Sequence, residues 1–140
     1  MQSMKVVEFM NRNPAVFTAD MPIEAVVERL LKSRQRGGPV VDDERRVIGF
    51  ISEQDCLAAM LRDTYHKEQS ANVSDCMFSG EVLCVFAGDS ITDVAQRMDL
   101  RKPKIYPVLD DDNRQLVGLI TRTDVLAAID GYFRDSYRRR

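Results

Sequence analysis

The chain contains one unit twice, and an internal repeat limits the possible folds more than any other feature of a sequence. Residues 39–42 (PVVD) recur as residues 107–110 (PVLD), and residues 49–55 (GFISEQD) recur as residues 118–124 (GLITRTD). Upstream, Met10 in the first copy matches Met77 in the second. The matches keep the same order, and single-residue insertions at two points account for the drift in their spacing. We therefore interpret the chain as two copies of one unit.

Each copy shows the same order of predicted elements. A β-rich run comes first, an amphipathic helix follows, two strands flank a polar turn, and a second helix closes the unit. These elements fall at residues 16–18, 23–31, 39–41, 47–51 and 57–61 in the first copy, and at residues 82–86, 91–98, 106–109, 116–120 and 126–129 in the second. The sequence therefore predicts an α/β (α+β) fold of two β-α-β-β-α repeats with pseudo-twofold symmetry.

The repeats also define the expected domain boundaries. Residues 1–66 form the first repeat with an N-terminal lead-in, residues 67–72 form a linker, and residues 73–140 form the second repeat with a C-terminal helix. A unit of about 60 residues buries too little of its surface to be stable alone. We therefore expect the two copies to pack face to face, to share a core and to form clefts between them.

The charge balance and the residue usage disfavour several functional classes. With 20 Lys+Arg against 22 Asp+Glu, the net charge is −2 and the isoelectric point is about 5.4, which disfavours nucleic acid as a partner. No apolar run approaches the ~18 residues that span a bilayer, and the N-terminus lacks a secretory signal pattern. Three cysteines and one histidine, His66, do not suffice for a zinc site or a disulfide framework. We expect a cytoplasmic protein with reduced thiols, no metal and no membrane contact.

Each copy carries a short polar motif where a predicted strand passes into a helix. The two motifs are Ser52-x-x-Asp55 and Thr121-x-x-Asp124. A hydroxyl at a helix start lies beside free N–H groups and the positive end of the helix dipole, which favours a phosphate. An ionised carboxylate only accepts hydrogen bonds, so it suits the two hydroxyls of a ribose. The same spacing also matches a capping box, which needs no ligand. The two interpretations are compatible, and both stay open at this point.

The repeated pattern resembles a known family. An apolar-Pro-Val-x-Asp strand, a turn, and Gly-apolar-apolar-Ser/Thr-x-x-Asp before a helix look like the cystathionine β-synthase (CBS) domain. Two such patterns in tandem resemble a CBS pair, or Bateman module. The resemblance covers residues from about 6 to 130, and no attached catalytic domain is recognisable. It implies a stand-alone regulatory module that binds adenosine nucleotides or related ligands.

The resemblance also implies particular ligand contacts. In that family the Ser/Thr and Asp of each motif contact phosphate and ribose, while the first strand and the backbone beside the Pro-Val step form the adenine pocket. Carried over to this chain, the expected ligand-binding residues are Thr18, Val40, Ser52 and Asp55 in the first copy, and Val85, Val108, Thr121, Arg122 and Asp124 in the second. No catalytic residue and no metal ligand is expected.

The two copies differ in charge beside their motifs. Arg122 stands inside the second motif, at the position where the first motif has Glu53. Basic residues also precede both Pro-Val steps, namely Arg34 and Arg36 in the first copy and Arg101, Lys102 and Lys104 in the second. A cation near a phosphate strengthens binding through charge-assisted hydrogen bonds, whereas a glutamate weakens it. We expect the second copy to suit a phosphate better, with solvated surface charges as the alternative.

Three functions compete at this point. The first is a non-catalytic sensor that binds AMP, ADP, ATP or a related ligand such as S-adenosylmethionine or NAD(H), and that passes its state to a partner protein. The second is a ligand-free homodimeric interaction scaffold. The third is an enzyme with Ser52, His66 and an aspartate as a triad, which the absence of a Gly-x-Ser-x-Gly elbow and of a P-loop disfavours. The resemblance also implies a homodimer built mainly through the helices.

Overall fold

The computed structural model describes residues 3–66 and 71–138, which form a mixed α+β fold. In chain order the elements are α1 (Val6–Phe9), α2 (Ile23–Ser33), β1 (Gly37–Val41), β2 (Val47–Ser52), α3 (Glu53–His66), α4 (Val73–Cys76), β3 (Val85–Phe86), α5 (Ile91–Arg97), β4 (Ile105–Leu109), β5 (Leu116–Thr121) and α6 (Arg122–Arg138). Most of the predicted linker, residues 67–70, lies outside the described residues. No helix in the described ranges combines the length and apolarity that crossing a membrane requires.

The chain divides into two compact units. The first unit comprises Pro14–Val82, and the second unit comprises Met1–Asn13 together with Leu83–Arg140. Each unit has its own cluster of buried apolar side chains. The expected face-to-face packing of the two copies stays a prediction.

The predicted amphipathic helices form where the apolar period places them. In α2 the side chains of Ile23, Val26 and Leu30 are at most 4% exposed, which is the spacing of one helix face. In α5 the corresponding buried residues are Ile91 and Val94. These two helices confirm the periodicity argument.

The strand pairing is equivalent in the two units. In the second unit β3 runs parallel to β4 with Val85 opposite Val108, and β4 pairs antiparallel with β5. In the first unit β1 pairs antiparallel with β2, and Phe17 makes an isolated parallel bridge with Val40. Phe17 is therefore the structural counterpart of Val85, which makes Thr18 the counterpart of Phe86.

The first strand of each repeat is shorter than the sequence predicts. The run at residues 16–18 is reduced to a single bridge residue, and the run at residues 82–86 is reduced to the two residues of β3. β-Propensity alone does not set strand length, because a segment counts as a strand only where a neighbour pairs with it. Here the pairing with the Pro-Val strand ends after one or two residues.

Each repeat opens with a short lead-in helix, α1 in the first repeat and α4 in the second. Each lead-in helix belongs to the compact unit that holds the rest of the other repeat. After α1, the Asn11 N–H donates to the Leu119 carbonyl oxygen at 2.8 Å, and the Leu119 N–H donates to the Asn11 carbonyl oxygen at 3.0 Å. After α4, Phe78 and Phe50 exchange the same pair of bonds at 2.8 and 2.9 Å. The boundaries predicted from the repeats therefore mark the two sequence copies. The compact units differ from these copies because each unit contains the lead-in of the other copy.

The glycine that opens each Gly-apolar-apolar motif is explained by this exchange. A Cβ at Gly118 would lie 2.7 Å from the Asn11 carbonyl oxygen and 2.7 Å from Met10 Sδ. A Cβ at Gly49 would lie 2.6 Å from Met77 Sδ and 2.8 Å from the Phe78 carbonyl oxygen. Because main-chain atoms approach so closely, each lead-in can pair with its strand only where a side chain is absent.

We expect Gly118→Ala to lower the free energy of unfolding by about 1–3 kcal/mol, because the new methyl group must displace the lead-in main chain. Gly131→Ala is the matched control, since a Cβ at that helical glycine would meet nothing within 4 Å in the part of the chain that the structure describes. The control should raise the free energy of unfolding by about 0.5–1 kcal/mol. Urea unfolding measures both effects. Wild-type stability of Gly118→Ala would show that the lead-in moves without cost.

The two cores place their aromatic volume on different strands. In the first unit Phe17 is fully buried, and a Cβ at Gly38 would lie 2.7 Å from its ring. In the second unit the counterpart of Phe17 is the smaller Val85, and the counterpart of Gly38 is Tyr106, which is 4% exposed. In the first unit the ring of Phe17 thus packs against a glycine, whereas in the second unit Tyr106 carries the ring and shares its core cluster with Val85.

Candidate functional site

The Ser52 motif lies at the junction of β2 and α3. Ser52 ends the strand, and the helix starts at the next residue. The Asp55 N–H donates to Ser52 Oγ at 3.1 Å, while the Ser52 N–H and hydroxyl both donate to Asp55 Oδ2 at 2.9 Å. These reciprocal bonds form a capping box that satisfies two main-chain donors of the helix start.

The Thr121 motif repeats this geometry between β5 and α6. The Asp124 N–H donates to Thr121 Oγ1 at 3.1 Å, and the Thr121 N–H donates to Asp124 Oδ2 at 2.9 Å. The capping interpretation of both motifs is therefore confirmed. The question that remains is whether the caps leave room for a ligand.

Each capping carboxylate retains an unused oxygen. Asp55 and Asp124 are half-buried and accept through Oδ2, while Oδ1 makes no hydrogen bond to any described residue. An ionised carboxylate has about four lone-pair sites, so a capping bond does not exhaust it. The geometry thus permits a cap and a contact to a ligand hydroxyl at the same carboxylate.

The three valines expected near an adenine ring are buried in the cores. Val40 and Val108 are 0% exposed and Val85 is 1% exposed, and nearly every residue of β1 and β4 is buried. A ligand contact at these valines would therefore have to use main-chain atoms. Thr18 is exposed, and its hydroxyl donates to Asp20 Oδ1 at 2.7 Å.

The counterpart of Thr18 in the second unit has an aromatic and cationic environment. The Phe86 ring is half-buried, and the Arg114 guanidinium lies 5.4 Å from its centroid. Arg114 sits in the β4–β5 turn with a φ of 61°. This cation–π pair could not be predicted from the sequence, because nothing in the spacing of residues 86 and 114 indicates that the turn folds back over β3.

The charged residues beside the motifs are held by hydrogen bonds. The Arg122 N–H donates to the Lys104 carbonyl oxygen and the Glu53 N–H donates to the Arg36 carbonyl oxygen, both at 2.9 Å. In both units the basic segment before the Pro-Val strand therefore lies beside the start of the last helix. Arg122 Nη2 also donates to the Asp99 carbonyl oxygen at 3.2 Å, while its buried Nε has no hydrogen-bond partner among the described residues. This contact directs the guanidinium toward the end of α5.

The cysteines have the properties of packing residues. Cys56, Cys76 and Cys84 form no disulfide bond. Burial, together with the nearby Asp55 carboxylate, raises the pKa of Cys56 to about 11. Burial also raises the pKa of Cys84 to about 11, although Arg114 partly opposes the shift. The described residues contain no group of three or more His, Cys, Asp or Glu side chains that could hold a metal ion.

Comparison with known proteins places the chain in a family. The model of the CBS domain matches twice, at residues 6–62 and 73–131. An uncharacterised protein of Methanocaldococcus jannaschii is 30% identical over 119 residues, which cover 85% of this chain and 40% of that relative. The chain therefore spans less than half the length of this relative.

Solved structures share the fold. The CBS-pair protein CBSX2 from Arabidopsis thaliana aligns with a TM-score of 0.79 at 26% identity, over 94% of this chain and 98% of that one. A structure of CBSX2 in complex with AMP aligns with a TM-score of 0.76 at 25% identity, over 91% and 97% of the two chains. The CBS domain pair of the protein MJ0100, in complex with 5′-methylthioadenosine and S-adenosyl-L-methionine, aligns with a TM-score of 0.76 at 21% identity, over 92% and 98%. With both sequence copies matched, the chain belongs to the CBS domain family as a tandem CBS pair.

Proposed function

We propose that this CBS pair is a non-catalytic regulatory module that binds an adenine nucleotide or a related adenosyl ligand and transmits its bound state to a partner protein. The observation that carries the proposal is the unused Oδ1 of Asp55 and of Asp124, each held in place by a cap at the start of a long helix. Such an acceptor suits a ribose hydroxyl, and the helix start beside it suits a phosphate. The AMP complex of CBSX2 supports the same ligand class.

The second unit is the better candidate for a phosphorylated ligand. The main chains of Arg122 and Lys104 join next to Thr121, the Arg122 guanidinium reaches the Asp99 carbonyl oxygen, and Arg122 takes the position that the acidic Glu53 has in the first unit. Opposite charge near a phosphate strengthens hydrogen bonds to it. Because CBSX2 has been solved in complex with AMP, we place AMP first among the candidates, ahead of ADP, ATP, S-adenosylmethionine and NAD(H).

A thermal-shift panel tests this proposal. A ligand that binds only the folded state at about 100 times its Kd adds roughly 2.7 kcal/mol of stability, which raises the Tm by several degrees for a chain of this size. We expect AMP to raise the Tm, and 2′-deoxy-AMP to raise it less because one ribose hydroxyl is absent. An unchanged Tm with all five candidate ligands would contradict the proposal.

The interaction scaffold remains the second candidate function. Its support is the set of large apolar side chains that are exposed on the long helices: Leu31, Leu57, Met60, Leu61, Leu126, Tyr132, Phe133 and Tyr137. Exposed apolar patches of this kind mark interaction surfaces. The homodimer, the cytoplasmic location and the absence of nucleic-acid and membrane partners stay predictions. The triad of the enzyme hypothesis includes His66, whose side chain lies outside the description.

A further inference from the structure

The second unit contains a groove that the proposed nucleotide binding does not use. It has a volume of about 280 Å³ and lies between the lead-in segment, residues 4–9, and residues 127–136 of α6. Its lining includes Met4 and Phe9 from the lead-in segment, and Gly131, Tyr132 and Asp135 from α6. The lining is mostly apolar and aromatic, with one carboxylate.

At the groove, α6 has a glycine where α3 has an arginine. Gly131 follows Thr121 at the same distance along the helix at which Arg62 follows Ser52. A Cβ at Gly131 would meet no atom of the described residues within 4 Å, so there is room for a side chain at this position. The difference between the copies at this one position thus leaves space beside α6 in the second unit.

The first unit shows what can cross the equivalent space. The Arg62 side chain extends from α3 toward the lead-in helix α4, and its Nη2 donates to Cys76 Sγ at 3.7 Å. Cys76 ends α4, as Phe9 ends α1. An arginine crossing the groove of the second unit would therefore meet an aromatic ring in place of a sulfur atom.

The second unit offers a guanidinium better partners than the first. The face of an aromatic ring attracts a cation, and two of the lining residues, Phe9 and Tyr132, are aromatic. The Asp135 carboxylate, also in the lining, adds the charge complementary to a guanidinium. Met4 and the adjacent alanines of α6 provide apolar surface for the methylene stem of an arginine.

We propose that this groove binds the arginine side chain of a partner polypeptide. The bound side chain would lie between α6 and α1 as Arg62 lies between α3 and α4 in the first unit. The site is separate from the Ser/Thr-x-x-Asp motifs, so it goes beyond the proposed nucleotide function. It would let a partner protein dock on the second unit whether or not a nucleotide is bound.

Titration with short peptides tests the proposal. The probes are acetyl-Gly-Arg-Gly-amide, the same peptide with citrulline, which has the same shape without the charge, and the same peptide with norleucine, which keeps only the stem. The readout is the NMR signals of the Phe9 and Tyr132 rings. We expect saturable shifts with the arginine peptide and at least about tenfold weaker binding of both analogues, since one cation contact is worth about that factor.

Two variants of the protein control the experiment. Gly131→Arg should abolish the arginine-dependent shifts by filling the groove from within, and should raise the Tm by about 2–4 °C because arginine favours a helix more than glycine does. Asp135→Asn should weaken the binding of the arginine peptide several-fold without changing the fold. Equal binding of the citrulline or norleucine peptide, no saturable shift, or shifts unaffected by both variants would each overturn the proposal. These outcomes are independent of AMP binding, which Gly131→Arg should leave unchanged.

Discussion

Asp124→Ala is expected to weaken AMP binding by about ten- to a hundredfold, and to lower the free energy of unfolding by only about 1 kcal/mol. The loss of affinity follows from removing a charged acceptor of ribose hydroxyls, which is worth roughly 1.5–3 kcal/mol. The smaller loss of stability follows from removing a helix cap. Asp55→Ala should act in the same way at the first unit. Isothermal titration calorimetry and urea unfolding measure the two quantities separately.

Two further variants separate capping from ligand binding. Asp124→Asn retains an amide oxygen that can accept from the Thr121 N–H, but its NH₂ group cannot accept from a ribose hydroxyl. We expect this variant to keep most of the stability and to lose most of the affinity. Asp75→Ala removes the equivalent capping carboxylate of α4, where Asp75 Oδ2 accepts from the Asn72 N–H at 3.1 Å. It should lose stability and keep its affinity for AMP.

The two motifs are also expected to differ. Thr121 and Arg122 give Asp124 surroundings that suit a phosphate better than those that Ser52 and Glu53 give Asp55. We therefore expect Asp124→Ala to reduce AMP affinity more than Asp55→Ala does. If both alanine variants bind AMP like the wild type while both lose stability, the motifs are only caps and the proposed function fails at these residues.

The elements that could be predicted from the sequence are those whose side-chain period is long enough to detect. Helices α2 and α5 and the four strands around the Pro-Val and Gly-apolar-apolar segments lie where the patterns place them, whereas α6 extends beyond the predicted run at residues 126–129. The lead-in helices α1 and α4 have only four residues each, which is too short for a helical period to appear. Their exchange between units could not be predicted either, because it depends on pairing between segments far apart in the chain.

The candidate site could be predicted from the sequence only in part. The Ser/Thr-x-x-Asp spacing contains the cap completely, since the bonds join residues three positions apart. Which side chains of the first strands face the core is not encoded in such a spacing. Val85 follows the β-rich pattern like its neighbours, yet it is 1% exposed while the adjacent Phe86 remains half-buried beside Arg114.

The packing of Phe17 against Gly38 gives the largest expected effect on stability. Phe17 is fully buried, and its ring occupies the space into which a Cβ at Gly38 would project. Phe17→Ala should therefore lower the free energy of unfolding by about 3–5 kcal/mol, because the ring loses its transfer energy and leaves a cavity. Urea unfolding followed by far-ultraviolet circular dichroism measures the loss. A change below about 1 kcal/mol would show that the first unit collapses around the missing ring.

A double-mutant cycle then tests whether ring and glycine depend on each other. Gly38→Ala alone should cost about 1–3 kcal/mol, because its methyl group would lie 2.7 Å from the Phe17 ring and 3.0 Å from the Ala15 carbonyl oxygen. In the Phe17→Val background the ring contact is absent, so the same substitution should cost at least about 1 kcal/mol less. Leu30→Ala, in the same core but not among the nearest neighbours of Gly38, is the control and should combine additively with Gly38→Ala. A valine at position 17, like Val85 in the second unit, should make room for a side chain at position 38 on the neighbouring strand. Additivity of the Phe17 and Gly38 substitutions would therefore refute the idea that the sizes of these two residues depend on each other.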